Sequence, residues 1–337
     1  MRTYIPDNYS SVLNIHDTQA ALHLIRSSFR TQLCQQLNLT PVIAPTIIEV
    51  GLGLQDNLSG NERPVEFDAP PTGGKIIQVL QDNCKWRRTY LSKHHFVSGA
   101  GIYASLDAGI RRDEAYLDNT HSLIINNDTW EISISENDRN LTYMKECVSK
   151  AVHALFLTQQ YICTLFPTLQ PYISDNVQFV SAQELENMYP HLSSDERETE
   201  FAKLHKTICV TNIGYPLESG KPHGIRSPDY DDWNLDFDIL VYYPPLQKAI
   251  EIGGGGIRVT AEELLKQMHH MGWDNNLKSP YHRSILDGSL LPTIGGAFGG
   301  DRICMVLTGK VHIGEVRPSV WDNHTLEVCK RNNIDLM

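Results

Sequence analysis

The sequence predicts an α+β fold in which a mainly antiparallel sheet is flanked by helices. Two observations favour this class. Strand-like runs outnumber the helical segments that could cross between parallel strands, and two such runs are joined only by a short proline-containing connection in DILVYYPPLQKAIEI. The 337 residues suffice for a substantial core, and no repeat, linker or low-complexity tract divides them. We therefore expect a single domain over residues 1–337.

In the first half of the chain, the spacing of apolar residues predicts two helices and several strands. Asp17 is a predicted N-cap, and apolar side chains then recur every three or four positions to about residue 38, which predicts an amphipathic helix. PVIAPTIIEV predicts a strand broken by Pro45. We expect a strand pair at Lys75–Val79 and His121–Ile125, followed by a long helix over Thr142–Leu165.

Strand-like runs dominate the second half. They are TICVTNI, FDILVYY, KAIEI and GIRV, and a capped helix is expected to begin within VTAEELL. FDILVYY and KAIEI are predicted to form an antiparallel hairpin. The sheet is therefore expected to be built largely from this half of the chain.

Composition excludes several classes of function. A formal charge of −11 argues against a broad nucleic-acid-binding surface, and no apolar run is long enough to cross a membrane. The N-terminus lacks the profile of a secretory signal. Seven scattered cysteines without a C-x-x-C pair suit reduced thiols better than a disulfide framework or a zinc site. We expect a cytoplasmic protein that binds neither nucleic acid nor membrane.

The stretch IEIGGGGIRV contains four consecutive glycines between two strand-like runs. A phosphate-binding glycine loop normally leads from a strand into a helix N-terminus. Here the chain returns to a β-branched run at Ile257 and Val259, which weakens that interpretation. The alternative is a pocket wall from which side chains have been removed.

Three groups of residues could form part of a binding or catalytic site. Arg111 and Arg112 in GIRRDE could hold a phosphate through bidentate contacts, or could form a solvated charged turn. Asp238 and Glu251 lie on neighbouring predicted strands, where Mg²⁺ would relieve their repulsion if they share a face of the sheet. Arg302 directly follows the glycine-rich IGGAFGGD, which would deliver one arginine to a site or simply begin a helix.

Together these features resemble motifs 2 and 3 of class II aminoacyl-tRNA synthetases. From about residue 4 to residue 321 the chain further resembles the ammonia-dependent asparagine synthetases, the A-type aspartate–ammonia ligases. The segments that carry this resemblance are VGLGLQDNLSGNERPVEF, KWRR, GIRRDE, SPDYDDW, DILV, GIRV, TIGG and HIGEV. The resemblance implies a class II synthetase-like catalytic domain and a homodimer, with Pro45 of motif 1 at the interface.

The same resemblance implies an activity and a set of site residues. ATP would activate the β-carboxylate of aspartate as an acyl adenylate, and ammonia would displace AMP. The implied ATP-binding residues are Arg111, His121, Asp238, Glu251, Arg258 and Arg302, of which Asp238 and Glu251 would hold Mg²⁺. The implied substrate residues are Asp56 for the amino group, Arg226 for a carboxylate, and Asp231 in the polar wall. Arg111, Arg302 and Asp56 are the predicted catalytic residues.

Departures from the family concentrate in the substrate pocket. Arg87 stands where the family has Lys, Asn127 where it has Gln, and Thr129 where it has Asp. Gly253–Gly255 replace Ser-Ser-Met, so Gly254 joins the predicted substrate wall. If these glycines widen the pocket, aspartate should not be the best substrate. The function we predict is that of an aspartate–ammonia ligase making asparagine. The alternatives are a ligase for another amino acid or amine, a non-catalytic binding paralogue, and a tRNA-aminoacylating fragment, against which the acidic charge counts.

Overall fold

The computed structural model describes residues 3–56, 58, 62–112 and 116–337, and it has the predicted α+β architecture. The strands are β1 (Leu39–Pro41), β2 (Ile47–Glu49), β3 (Glu66–Asp68), β4 (Ile76–Val79), β5 (Gly101–Ile110), β6 (Ile124–Ser133), β7 (Gln178–Ser181), β8 (Thr207–Thr211), β9 (Asp231–Tyr243), β10 (Lys248–Arg258) and β11 (Thr293–Gly299). The α-helices are α1 (Ile15–Leu37), α2 (Cys84–Lys93), α3 (Leu141–Leu165), α4 (Ala182–Met188), α5 (Ser194–His205), α6 (Ala261–His270), α7 (Pro280–Leu286), α8 (Gly300–Leu307) and α9 (Asn323–Arg331).

Eight strands form the main sheet in the order β1-β5-β6-β11-β10-β9-β8-β7. All neighbours are antiparallel except the two outer pairs, β1 with β5 and β7 with β8. The prediction of a mainly antiparallel sheet is therefore confirmed, as is the β9–β10 hairpin. A separate three-stranded sheet has the order β2-β4-β3.

The largest hydrophobic core lies between one face of the main sheet and a layer of three helices, α1, α3 and α8. The apolar positions that predicted α1 and α3 supply this layer, and Phe29 of α1 packs edge-on against Phe298 of β11 at 5.1 Å. Helices α2 and α5 contact the opposite face at its two sides. The face between them stays open above β6, β11 and β10, and this is where polar side chains gather.

Two local predictions need correction. The N-cap of α1 is Asn14, whose side chain accepts a hydrogen bond from the backbone N–H of Asp17, so the helix begins three residues earlier than an Asp17 cap implies. The segments at Lys75–Val79 and His121–Ile125 do not pair: β4 pairs with β2 and β3, whereas β6 pairs with β5 and β11. Amphipathic pattern identifies a strand but does not choose its neighbour.

The strands on either side of Pro45 belong to different sheets. Strand β1 forms an edge of the main sheet, and β2 belongs to the small one. Within the ranges described above, no helix combines the length and the apolar character needed to span a membrane.

Candidate active site

A cleft of about 340 Å³ opens on the sheet face between α2 and α5. Strands β6, β10 and β11 form its floor, the start of α2 closes one end, and the start of α8 lies at the other. The predicted site residues that line it are Asp56, Arg87, Arg111, His121, Asn127, Arg226, Asp231, Glu251, Gly254, Arg258 and Arg302. Residues separated by up to 246 positions in sequence thus share one cleft.

Two predicted residues lie outside the cleft lining. Thr129 is fully buried, and its hydroxyl donates to the carbonyl oxygen of Ala104 on β5, so the structure does not bring it to the substrate wall. Asp238 is not among the lining residues, but its carboxylate accepts from Arg226, which is. Asp113 and Glu114 of the GIRRDE motif lie outside the described residues.

Arg302 lies at the α8 end of the cleft. The Arg302 guanidinium donates to the carbonyl oxygen of Glu251 at 2.9 Å and to that of Thr120 at 3.3 Å, which fixes its direction. His121 Nδ1 lies 2.8 Å from Asp118 Oδ1, so Nε2 is the ring nitrogen left to face the cleft. Burial raises the pKa of Asp118, but its interactions with His121, the backbone N–H of Thr120 and the charge of Lys248 together outweigh this and hold the pKa below its usual value. This end can accept a polyanion.

Asp238 and Glu251 suit a magnesium ion that also binds phosphate oxygens. They lie on the neighbouring strands β9 and β10, on the cleft side of the sheet, and both are oxygen donors of the kind that Mg²⁺ prefers. Burial, and after it the negative charge of Asp238, raise the pKa of Glu251, so the two carboxylates interact. Within the described residues no three His, Cys, Asp or Glu side chains converge as a complete metal site. A metal here would need ligands from a bound nucleotide.

A buried ion network forms the floor towards α2. Arg258 donates through Nε to Glu131 Oε1 at 2.8 Å and through Nη2 to Oε2 at 2.6 Å, and its Nη1 donates to Asp231. Thr293 donates to Glu131 Oε1 at 2.7 Å. Burial raises the pKa of Glu131, but the Arg258 and Arg87 charges outweigh it and lower the pKa. Arg258 is thus committed to protein carboxylates, and its contact with ATP stays a prediction.

Arg87 contacts side chains at the N-terminal end of its own helix, α2. It is buried, donates to the Asn83 side chain, and lies 3.5 Å from Asp82 and 3.4 Å from Glu131. Asp82 also accepts from the backbone N–H of Cys84 at 2.7 Å, at the start of α2. The arginine that departs from the family at position 87 is therefore engaged by Asp82, and this contact restrains the cation that the family resemblance assigns to the substrate.

Asp56 lines the cleft and makes no ion pair with another described residue. It is buried and accepts from the backbone N–H of Leu58 at 2.8 Å. Burial and then the charge of Asp82 raise the pKa of Asp56 to about 6, against the opposing charges of Lys85 and Arg111. A buried carboxylate of this kind is stabilised when a ligand brings an ammonium group.

A buried triad stands behind Asp56 and was not predicted. Lys85 Nζ donates to Asp229 Oδ2 at 2.6 Å, and His282 Nε2 lies 2.8 Å from the same oxygen. Burial raises the pKa of Asp229, but the Lys85 and His282 interactions outweigh it and lower the pKa well below its usual range. Lys85 and Asp229 lie in segments that carried the family resemblance, whereas nothing in the sequence pointed to His282.

The four glycines do not widen the cleft as predicted. A Cβ at Gly255 would overlap the carbonyl oxygen of Gly295, and one at Gly253 would come within 2.7 Å of the Phe298 ring and 2.8 Å of the Ala297 carbonyl oxygen. The prediction is wrong for these two positions because close approach of β11 already fills the space. Gly254 faces the carboxylate of Asp238, and Gly256 faces that of Asp231.

Solved structures similar to this chain share its fold. Asparaginyl-tRNA synthetase from Pyrococcus horikoshii complexed with asparaginyl-adenylate aligns with a TM-score of 0.64 at 14% identity, covering 91% of this chain and 70% of that chain. The corresponding enzyme of Entamoeba histolytica in complex with asparaginyl-adenylate gives 0.62 at 14% identity, covering 90% and 66%. The chain thus spans about two thirds of the length of these synthetases. The likeness confirms the class II synthetase fold.

Sequence relatives cover the whole chain. A family profile described as aspartate-ammonia ligase matches residues 16–333. Aspartate–ammonia ligase of Clostridium perfringens (strain SM101) is 40% identical over 336 residues, 100% of this chain and 99% of the relative. That of Lactobacillus acidophilus is 39% identical over 338 residues, covering 100% of both chains. The chain belongs to the aspartate–ammonia ligase family.

Proposed function

We propose that the protein is an ATP-dependent, AMP-forming carbon–nitrogen ligase that makes asparagine from aspartate and ammonia. One observation carries the proposal: a single cleft brings the predicted phosphate-binding residues Arg111 and Arg302 together with the buried carboxylate of Asp56, in a chain of this family. The polyanion end would take the triphosphate of ATP. The Asp56 end would take the ammonium group of an amino acid.

The proposed chemistry has two steps. A carboxylate oxygen of aspartate attacks the α-phosphorus of ATP, pyrophosphate leaves, and an acyl adenylate forms. The nitrogen of ammonia then attacks the acyl carbon, and the bond to AMP breaks. In the first step Arg111 would stabilise charge at the α-phosphate and Arg302 charge on pyrophosphate, because preoriented donors in a dry cleft favour the transition state. When bound with phosphate by Asp238 and Glu251, Mg²⁺ would neutralise part of the triphosphate charge.

A second candidate is a ligase of the same mechanism with another amino acid or amine. The engagement of Arg87 by Asp82, Asn83 and Glu131 favours it, since that guanidinium is less free to bind a substrate carboxylate. Against it, Gly253 and Gly255 leave no extra volume for a bulkier substrate. Aspartate with ammonia therefore remains the first proposal.

The test is exchange of labelled pyrophosphate into ATP with a panel of amino acids. We expect aspartate to support exchange best, and amide formation to require ammonia or hydroxylamine in addition. A higher kcat/KM with glutamate or a substituted aspartate would establish the second candidate. Absence of exchange with every amino acid would reject both and leave a binding protein.

The pKa of Asp56 predicts how aspartate binding depends on pH. Its carboxyl is charged above a pH of about 6 and neutral below it, while the substrate ammonium stays charged throughout. The Kd for aspartate should therefore rise as the pH falls below about 6, by at most tenfold per pH unit. Isothermal titration calorimetry between pH 5 and 8 measures this. Asp56→Asn should bind weakly at every pH with a flat profile, and a wild-type profile in that variant would exclude Asp56.

We also propose a homodimer formed through α1 and the segment around Pro45, as the family resemblance implies. Strand β1 is an edge of the main sheet, and the Ile43 side chain beyond it is 97% exposed. Ile43→Asp should shift the protein towards monomer in light scattering at micromolar concentration. The matched variant Leu204→Asp, at a residue 71% exposed on α5, which packs against β8, β9 and β10 away from β1, should not. A fully active wild-type monomer would contradict the proposal.

The location we propose is the cytoplasm. All seven cysteines lie in the described part of the chain and are free thiols, which suits a reducing compartment.

A further inference from the structure

Arg226 reaches the cleft from a long connection between β8 and β9, residues 212–230, which we call the arm. The proposed function assigns its guanidinium, on a side chain that is 20% exposed, to a carboxylate of the substrate. The arm is described throughout and contains no helix and no strand of either sheet. Contacts of its side chains with neighbouring elements must therefore fix where Arg226 lies.

Helix α5 provides a fixed surface beside the arm. Its side chains Phe201 and Ala202 are buried in a hydrophobic cluster with residues of β8 and β9. The Thr199 hydroxyl of the same helix accepts a hydrogen bond from the backbone N–H of Ala249 on β10 at 3.1 Å. A contact between the arm and α5 is therefore a contact with the main sheet through a packed helix.

Two consecutive residues of α5 hold the arm. Arg197 pairs at 3.2 Å with Glu186 of α4, whose carboxylate accepts from the Ser219 hydroxyl at 2.7 Å. Nearer to the cleft, Nε2 of His223 lies 2.8 Å from Oε1 of Glu198. The His223 side chain is 3% exposed and its Nδ1 has no partner among the described residues, so the bond to Glu198 is its only hydrogen bond there. Because a carboxylate only accepts, Nε2 carries the proton.

His223 is the last of these contacts before Arg226. Two residues separate them, and the side chain of the second, Ile225, is 69% exposed. On the other side of Arg226, the carbonyl oxygen of Ser227 accepts from Nε1 of Trp233 at 3.2 Å. Arg226 is thus held on both sides along the chain, and on its N-terminal side the hold comes from His223.

We propose that His223 is a positioning residue for the amino-acid pocket: its bond to Glu198 holds the arm where Arg226 can meet a carboxylate of the substrate. This inference rests on the proposed function. Without the bond, the arm loses its contact with α5 closest to Arg226, and the guanidinium moves with it. Arg111 and Arg302, proposed for ATP, belong to other elements and keep their places. Loss of the bond therefore weakens binding of the amino acid and leaves ATP binding unchanged.

The experiment compares two amide variants that differ in reach. In His223→Gln the amide nitrogen can take the place of Nε2 and donate to Glu198, whereas the side chain in His223→Asn is too short. We expect His223→Asn to raise the Kd for aspartate about tenfold to a hundredfold, because a displacement of about 1 Å at a positioning contact has effects of that size. His223→Gln should stay close to the wild-type value. The Kd for ATP should be the same in all three proteins, with both constants measured by calorimetry.

Variants of Glu198 separate position from charge. Glu198→Gln keeps an oxygen that accepts from His223 but removes the negative charge, so it should bind aspartate nearly as well as the wild type. Glu198→Leu removes the acceptor and should match His223→Asn, and the two changes combined should cost little more than either alone. A loss in Glu198→Gln as large as that in Glu198→Leu would show an effect of charge and overturn the positioning role.

His153→Asn is the matched control. It breaks a contact of 2.8 Å between His153 on α3 and Asp175, neither of which lines the cleft, so both Kd values should stay unchanged. Wild-type aspartate affinity in His223→Asn, or equal losses for aspartate and ATP, would overturn the inference. If the wild type catalyses aspartate-dependent pyrophosphate exchange, such a result rejects the inference alone. Absence of both aspartate binding and exchange in the wild type would reject the proposed function as well.

Discussion

Arg111→Ala should lower aspartate-dependent pyrophosphate exchange by about 10²-fold or more while the fold stays intact. Arg111 lines the cleft, and its charge already lowers the pKa of Asp56, so its guanidinium lies within electrostatic range of the amino-acid pocket. A preoriented donor at the position where charge develops is worth about 10²–10³ in rate in a site shielded from water. Exchange kinetics at saturating ATP and aspartate measure the loss, and circular dichroism checks the fold.

The neighbouring arginine provides the control. Arg112 is exposed and does not line the cleft, so Arg112→Ala should keep nearly full exchange. Arg111→Lys keeps the charge but loses the two-pronged contact, so it should recover only part of the rate. If the alanine variants at the two positions had equal rates, Arg111 would have no part in adenylate formation.

The fold was largely predictable because its helices and outer strands are amphipathic. The pattern of α3 gave Thr142–Leu165, and the helix runs Leu141–Leu165. The central strand β10 shows where such reasoning fails. The pattern suggested two strands separated by glycines, yet Lys248–Arg258 is one continuous strand. The glycines stay in register with β9 on one side and β11 on the other, so backbone pairing compensates for their low strand propensity.

Site residues that belong to a local sequence motif could be predicted, whereas contacts between residues far apart in the sequence could not. The presence of Arg111 and Arg302 in the cleft could be predicted because each lies in a distinctive local motif. The Lys85–Asp229–His282 triad could not be predicted, since its contacts join residues 144 and 53 positions apart and depend on how α7 folds over α2. The sequence pointed to Arg87 as a departure from the family, but its engagement with Asp82 depends on both side chains turning towards the same helix end.

The network around Arg258 predicts the largest effect on stability. Arg258 is 2% exposed and makes two bonds to Glu131 and one to Asp231, while Glu131 is wholly buried. Removing one partner of a buried ion pair leaves an uncompensated charge in a medium of low dielectric constant. Arg258→Met should therefore lower the free energy of unfolding by about 3–5 kcal/mol, measured by urea denaturation.

Two further variants separate charge from packing. Arg331 is a surface arginine whose side chain is 74% exposed and pairs with Glu327, so Arg331→Met should change stability by less than about 0.5 kcal/mol. Adding Glu131→Gln to Arg258→Met replaces the unpaired carboxylate by a neutral amide of similar shape, and Thr293 can still donate to its oxygen. The double variant should recover part of the lost stability. If it were less stable than Arg258→Met alone, lost packing rather than unpaired charge would account for the destabilisation.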